Sequence, residues 1–456
     1  MTAHMSPKER KADGKARRQD VPRSSHGDWS PAADRPDPVD VITSQDADRV
    51  QPLVPIRHGR MAVSPFTFYR GAAKIMAGDL ASTTSSGLDA QLCGDAHLAN
   101  FGSYASPDRR QVFDVNDFDE TLPGPWEWDL KRLATSFVLA GRDNGFDKKA
   151  ITAVTTKSAA GYRQAMAKFA GQRTLDVWYS QATLADIAAA LPKKKDKKWL
   201  SKDAAKARSK DSLKARSKLA ENVGGTYRIK SQAPLLLPLR DLAKSMDPDE
   251  LRAQVTGSLE SYRNTLADNR RVLFDRFELV DIALKVVGVG SVGTRCMIVL
   301  FQGRDQDDPL FLQVKEAEAS VLEDHLPKST YEEHGERVVR GQRLMQASSD
   351  IFLGWETVPE KHHYYWRQFH DMKGSADVAS MNERRMENYA HVCGSTLAHA
   401  HARSGDAIAI AGYLGSGDSF DTAVTEFAFT YADQNDRDYA AFTAAIDNGQ
   451  IEAADG

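Results

Sequence analysis

Residues 1 to 48 are polar, charged and rich in proline, with no sustained apolar period. Such a stretch buries too little apolar surface to offset the entropy of ordering, which predicts a disordered N-terminal arm. In "SPFTFYRGAAKIMAGDLA" a Ser-Pro start is followed by Phe68, Ala72, Ile75 and Leu80 at helical spacing, and a globular domain is expected to begin near residue 49. After the short strand pattern "VFDVNDFDE", the Ala-rich segments "WEWDLKRLATSFVLAGR" and "KKAITAVTTKSAAGYRQAMAKFA" predict long helices of a mainly α body. Asp247 as N-cap, Pro248 at the first position and a stripe of Leu251, Val255, Leu259, Tyr262 and Leu266 predict a further packed helix. The pattern then changes period. "IALKVVGVGSVG", "TRCMIVLFQG" and "LFLQVKEAE" are β-branched runs, with "GRDQDDP" as the turn between the last two, and they predict an antiparallel meander. A helix near "STYEEHGERVVRGQRLMQ", short strands in "DIFLGW" and "HHYYWRQF", and helices carrying Met386, Tyr389, Val392, Cys393, Leu397 and Ala400 and then residues 420–445 complete an α+β reading.

This divides the chain into an arm (1–48), an α lobe (49–190), a basic linker or join (191–245), a helix with a β-rich lobe (246–375) and the remaining α-lobe helices (376–456). The 456-residue chain has a net charge of only −3, so no global field drives it onto nucleic acid or an anionic membrane. Its three cysteines, Cys93, Cys296 and Cys393, are widely spaced and fit reduced thiols better than a disulfide framework. The N-terminus lacks an apolar signal core, and no run approaches the ~18 apolar residues of a membrane span, so a soluble cytoplasmic protein is expected. The lysine-rich segment 193–218 reads as a solvated helix or mobile linker in preference to a phosphate or nucleic-acid patch, because Trp199 is its only aromatic residue.

Two segments carry chemistry. "GVGSVG" supplies Gly288, Gly290, Ser291 and Gly293 in a G-x-G-x-x-G pattern. A dinucleotide-binding unit needs a helix next, yet "TRCMIVLF" follows and reads as a strand, so that reading fails on context. A strand-turn-strand flap over ATP phosphates fits instead, with Lys315 of "FLQVKEAE" reaching the α- and β-phosphates. Such a lysine needs a helix glutamate, for which "TYEEHGERVVRGQ" offers Glu336 first, then Glu333 and Glu332. The bland alternative for Lys315 is an exposed lysine on a hairpin edge.

The second segment, "CGDAHLAN", resembles the catalytic loop H-G-D-x-H-x-x-N of aminoglycoside- and choline-kinase-type phosphotransferases, with Cys93 in place of the first histidine. The resemblance implies that Asp95 is the base for an acceptor hydroxyl and Asn100 a magnesium ligand. Its continuation "VFDVNDFDETLPGPWEWDLKRLA" implies Asp117 as the second magnesium ligand and Asp129 as the helix aspartate bracing the loop. His97 reads either as a loop histidine bonding backbone or as a proton-transfer group. Together with "SPFTFYRG", "KVVGVGSVG", "VVRGQRLMQ" and "LAHAHARSGD", these stretches resemble the bacterial family catalogued as domain of unknown function 2252, from about residue 50 onward. That family implies no substrate.

Kinases run from glycine loop to catalytic loop, whereas here the catalytic loop comes first. The order is restored on a circle, because the helix ending "STLAHAHARSG" resembles the one that leads into the catalytic loop. The resemblance therefore implies a protein-kinase-like two-lobed fold in circularly permuted form, with Lys315 within roughly 10 Å of Asp117, a salt-bridge or ATP-bridging reach. Three functions follow: an ATP- and Mg²⁺-dependent phosphotransferase acting on a small-molecule hydroxyl, a kinase-like enzyme transferring AMP to protein, and a catalytically silent nucleotide-binding scaffold. Asp119 and Glu120 either attract a cationic substrate or support the metal site, and Arg70, Arg132, Arg367 and Gln368 read either as polar contributors with no assignable partner or, in preference, as surface or packing residues.

Overall fold

The computed structural model describes residues 5–242, 248–286, 288–290, 292–356, 362–369 and 371–454. The chain is an α+β protein, mostly helical, with several antiparallel sheets. Among the described residues no helix is long and apolar enough to cross a membrane.

Helix Trp126–Asp143 is buried along almost its whole length, with apolar and small residues from Leu133 to Gly141 and the charged Glu127, Asp129, Lys131 and Arg132 buried in its first half. Helices Lys148–Ala170, Glu383–Ser404 and Ser419–Asp447 pack around it. The first two approach closely enough that a Cβ on Gly394 would lie 2.0 Å from the Ser158 carbonyl oxygen, and only glycine fits there.

The meander forms as expected inside a six-stranded antiparallel sheet. Its order runs Gly354–Glu356, His363–Gln368, Pro309–Ala317, Cys296–Gln302, Glu278–Lys285, Leu236–Pro238. Alternation gives each strand two faces. Val299, Phe301, Leu312, Val314 and Trp366 point to one side, where Tyr262 of helix Pro248–Thr265 and Leu266 just after it cover them. Ile298, Leu300 and Phe311 point to the other, against Ala215, Ala220, Ile229 and Leu236. Asp247, the expected N-cap, lies outside the described residues.

Two expectations are corrected. The arm is folded: helices Pro7–Ala16 and Pro38–Ser44 are separated by a 3₁₀ turn at Arg23–Gly27. Polar bonds tie it to the body alongside buried Val39 and Ile42. Arg10 pairs with Asp406 at 2.7 Å, His26 bonds the Tyr413 hydroxyl at 2.6 Å, and Arg35 bridges buried Asp79 and Asp438 at 2.7 and 2.6 Å. Apolar periodicity cannot register such contacts, which is why composition alone suggested disorder. Nor is 191–245 a mere linker. Helix Lys194–Arg208 packs on the α body through Ala204 and Trp199, while helix Ser212–Leu219 and a hairpin (220–229) lead into the edge strand Leu236–Pro238 and shield one face of the sheet. Its lysines are largely solvated while Asp196 is buried against Arg384.

Candidate functional site

Lys315 sits near the end of the fully buried strand Pro309–Ala317, opposite Cys296 on one neighbour and Tyr365 on the other. Its ammonium is 2.5 Å from Asp119 Oδ2 and 3.6 Å from Asp117 Oδ1, although Asp119 lies 196 residues away in sequence. The Tyr365 hydroxyl donates to Asp119 Oδ1 at 2.6 Å. Burial opposes charge on Lys315, but Asp117 and Asp119 outweigh it and hold the lysine protonated, well above its ordinary value. Burial likewise raises Asp117, while Lys315, Arg367 and Lys373 pull harder and keep it ionised below the usual carboxylate range. Asp117 Oδ1 is a buried oxygen with no hydrogen-bond donor among the described residues.

The loop that follows strand Asp89–Leu92 is shaped from behind. Asp129, buried in helix Trp126–Asp143, accepts from the backbone N–H groups of Cys93 at 2.8 Å and Gly94 at 3.0 Å, and His401 lies 3.2 Å from it. Gly94 takes φ of 82°, and a Cβ there would sit 2.3 Å from the Glu120 carbonyl oxygen, so the turn requires glycine. Asn100 donates to the Asp95 carbonyl at 2.7 Å, closing the loop and leaving its own amide oxygen without a donor among the described residues. Arg132 Nε bonds Asp95 Oδ1 at 2.6 Å. Asp95 Oδ2 stands 3.6 Å from His97 Nε2, beyond hydrogen-bond distance. Burial pushes the His97 imidazole down to about 4, so it is neutral near pH 7 beside Asp95. Cys93 is buried, with its thiol pushed up chiefly by burial, and contributes its backbone N–H to the brace.

The glycine segment joins strands Glu278–Lys285 and Cys296–Gln302, which puts it at the same end of the sheet as Lys315. Gly288 and Gly293 have φ of 72° and 92°. Arg60 donates to the Gly288 carbonyl at 2.8 Å, Arg49 to that of Val292 at 2.5 Å, and the Val50 N–H to that of Gly293 at 2.8 Å. Gly290 packs on the Arg70 carbonyl. Ser291 lies outside the described residues.

Glu336 is not brought to Lys315. It pairs with Arg340 one helical turn on, and Glu333 pairs with His363. The helix His334–Met345 sends Arg337 instead, which donates to the carbonyls of Asp119, Thr121 and Glu318, each at 2.7 Å. Asp119 therefore occupies the place of the lysine's partner, and the helix fixes the backbone that carries it.

Two cavities meet at this cluster. A cleft of about 470 Å³ is lined by Gln313, Lys315, Asp350, Arg367, Phe369 and Lys373, with Lys210 and Arg70 at its walls. A chamber of about 140 Å³ holds Asp95, His97, Asn100, Glu120 and Gly290. The cleft is cation-rich: among the described residues Arg367 donates to neutral acceptors, Gln313 Oε1 at 2.9 Å and the Asn116 carbonyl at 3.1 Å. Repulsion from Arg367, helped by burial, pushes Lys373 down to about 7. A cleft with such cations beside Asp117 suits a polyanion. Among the described residues no group of three or more His, Cys, Asp or Glu is placed to hold a metal ion, so Asn100 and Asp117 would need phosphate oxygens to complete a cation's shell.

Sequence reading named Arg132 and Arg367 without assigning them a partner, and missed Arg337 and Lys373. Arg132 follows Asp129 by three residues, so a helix facing the loop through Asp129 also turns Arg132 toward it, and that spacing was a readable signal. The other three come from elements whose approach only the tertiary structure sets.

The model of a family described as "Uncharacterized protein conserved in bacteria (DUF2252)" matches residues 49–445. The chain belongs to that family. No curated protein matches the chain, and no solved structure does. The match begins at Arg49, just past the arm, and includes every site residue described above.

Proposed function

We propose that this member of the family is an ATP- and magnesium-dependent phosphotransferase acting on a hydroxyl of a small molecule. We further propose a kinase-like two-lobed plan in which the catalytic segment precedes the nucleotide-binding sheet. The observation that carries the reading is the 3.6 Å approach of Lys315 to Asp117, two residues assigned to one site while far apart in sequence. The permuted order is supported where the cut is expected. Ser404 Oγ, at the end of helix Glu383–Ser404, accepts from the Gln91 N–H at 3.0 Å, so that helix abuts the strand leading into the Asp95 loop.

In this reading the triphosphate lies in the cation-rich cleft, and Lys315 neutralises charge on its α- and β-phosphates. Asn100 and Asp117 would hold Mg²⁺, which supplies positive charge at the phosphate oxygens. Asp117 Oδ1, buried and accepting no hydrogen bond among the described residues, fits a cation ligand. Arg132 occupies Asp95 Oδ1 and leaves Oδ2 facing the chamber side for the acceptor. The acceptor oxygen bonds to the γ-phosphorus as the bond to the β,γ-bridging oxygen breaks. ADP leaves with that electron pair, and the hydroxyl proton passes to Asp95 Oδ2. Thermal shift with ATP, ADP, GTP and Mg²⁺, followed by a metabolite panel with ATP labelled at the γ- or α-phosphate, tests the reading. Transfer of γ-label to a small hydroxyl compound is expected. Transfer of α-label to protein would replace it with nucleotidyl transfer, and no response to any nucleotide would leave a scaffold.

A further inference from the structure

Arg70 was read from sequence as a surface or packing residue, and its surroundings argue otherwise. It lies at the end of helix Pro65–Gly71, where its backbone is gripped from two sides. Arg132, the partner of Asp95, donates to the Tyr69 carbonyl at 2.9 Å, and the Tyr69 hydroxyl donates back to the Arg132 carbonyl at 2.9 Å. On the other side Gly290 rests on the Arg70 carbonyl, where a Cβ would stand 3.2 Å away. One short peptide is thus clamped between the Asp95 loop and the glycine segment. Arg70 lies at the junction of the two cavities: among the described residues, Arg70, Asp117 and Gly288 line both.

Around it, the buried arginines have partners. Arg132 holds Asp95, Arg337 holds three carbonyls, Arg57 holds Asp46, and Arg367 holds Gln313. Arg70 makes no side-chain hydrogen bond and no ion pair among the described residues, and its Nε is buried without an acceptor. A guanidinium left so is costly unless a ligand completes it, and its planar fork matches phosphoryl oxygens. Resting on the phosphotransferase reading, we infer that Arg70 is a catalytic residue that contacts the γ-phosphoryl group of ATP at the junction between nucleotide cleft and acceptor chamber. Arg70 then adds fixed positive charge to the transferring group between the Asp95 and Asp117 sides, and the clamped peptide keeps it there without a closing motion.

Calorimetric binding of Mg·ATP and Mg·ADP to the full chain tests this without knowledge of the acceptor. Arg70→Gln is expected to weaken Mg·ATP about tenfold or more while leaving Mg·ADP within about twofold. Arg70→Lys keeps the charge but not the fork, and a selective loss of about threefold for Mg·ATP is expected. If Arg70→Gln unfolds, the lysine variant decides. Equal losses for both nucleotides, or unchanged binding of both, would overturn the inference; unchanged binding is also the outcome if Arg70 serves an anionic group of the acceptor. If wild-type protein binds neither nucleotide, the phosphotransferase reading falls and takes this role with it. Normal wild-type binding with an indifferent Arg70→Gln removes only the role of Arg70.

Discussion

Asp129→Asn isolates how the candidate catalytic loop is held. The Asp129 side chain is 1% exposed, and both carboxylate oxygens are used, one by the Cys93 N–H at 2.8 Å and the other by the Gly94 N–H at 3.0 Å. Asparagine keeps one acceptor, so its amide group must face one of these two donors. One charge-assisted hydrogen bond is lost, worth about 1.5–3 kcal/mol, and a buried N–H is left unpaired, at about 1–3 kcal/mol. The two overlap, and roughly 3 kcal/mol is expected for local opening of the loop. At about 1.4 kcal/mol per decade, that is roughly a hundredfold faster exchange. Hydrogen–deuterium exchange of peptides covering residues 88–100 should show it for the Cys93 and Gly94 amides, while peptides from helix Lys148–Ala170 stay as in wild type. Exchange at Cys93 and Gly94 within threefold of wild type would refute the brace, and a uniform rise across the protein would mean the aspartate supports the fold generally.

The arm should come loose when its central ion pair is cut: Arg35→Met leaves Asp79 and Asp438 buried without their cation, at a cost of about 3–5 kcal/mol, and limited proteolysis should then cleave within residues 20–45 before the rest of the chain. Lys373, held down to about 7 by Arg367 and burial, is mostly neutral at pH 8 and should take up a proton when a triphosphate enters the cleft. Binding enthalpy at pH 8 should therefore vary with the ionisation enthalpy of the buffer, and Lys373→Met should remove most of that variation. By the same sign, Lys373 binds fewer protons folded than unfolded, so its contribution favours the folded state increasingly as pH rises from about 7 toward the ordinary lysine range. Thermal melts of wild type and Lys373→Met between pH 7 and 10 should converge as pH rises.

What was legible in the sequence was local. "CGDAHLAN", Asp129 and the Gly-rich segment each carry their spacing within a few residues, and Asp129 bonds the Cys93 and Gly94 N–H groups. The partner of Lys315 was not local. A glutamate on the next helix was the natural expectation, but Glu336 faces solvent beside Arg340, and the lysine is met by Asp119 from the loop before helix Trp126–Asp143. The disordered arm was misjudged because arginine bonds to backbone carbonyls and buried aspartates order it, as Arg18 does with the Tyr413 carbonyl at 2.7 Å, and hydrophobic periodicity is blind to them. The basic segment was misjudged differently. Its lysines face water as expected, while its small residues, Ala204, Ala207 and Ala215, face the interior.

The central claim, a Mg·ATP site assembled by Asp117 and Lys315 with Asp95 as the acceptor's base, is tested most directly by comparing three variants. Mg·ATP binding by calorimetry is measured beside single-turnover phosphate release, in protein shown by melting to be folded. Asp117→Asn should lose both affinity and turnover, because it removes a charged ligand from the phosphate side. Lys315→Ala should weaken both less. Asp95→Asn should leave affinity within about threefold while turnover falls by roughly 10² or more. If Asp95→Asn abolishes binding while Asp117→Asn leaves it untouched, the two roles are reversed. If none of the three alters Mg·ATP binding, the nucleotide does not bind at the Lys315–Asp117 junction and the account is contradicted.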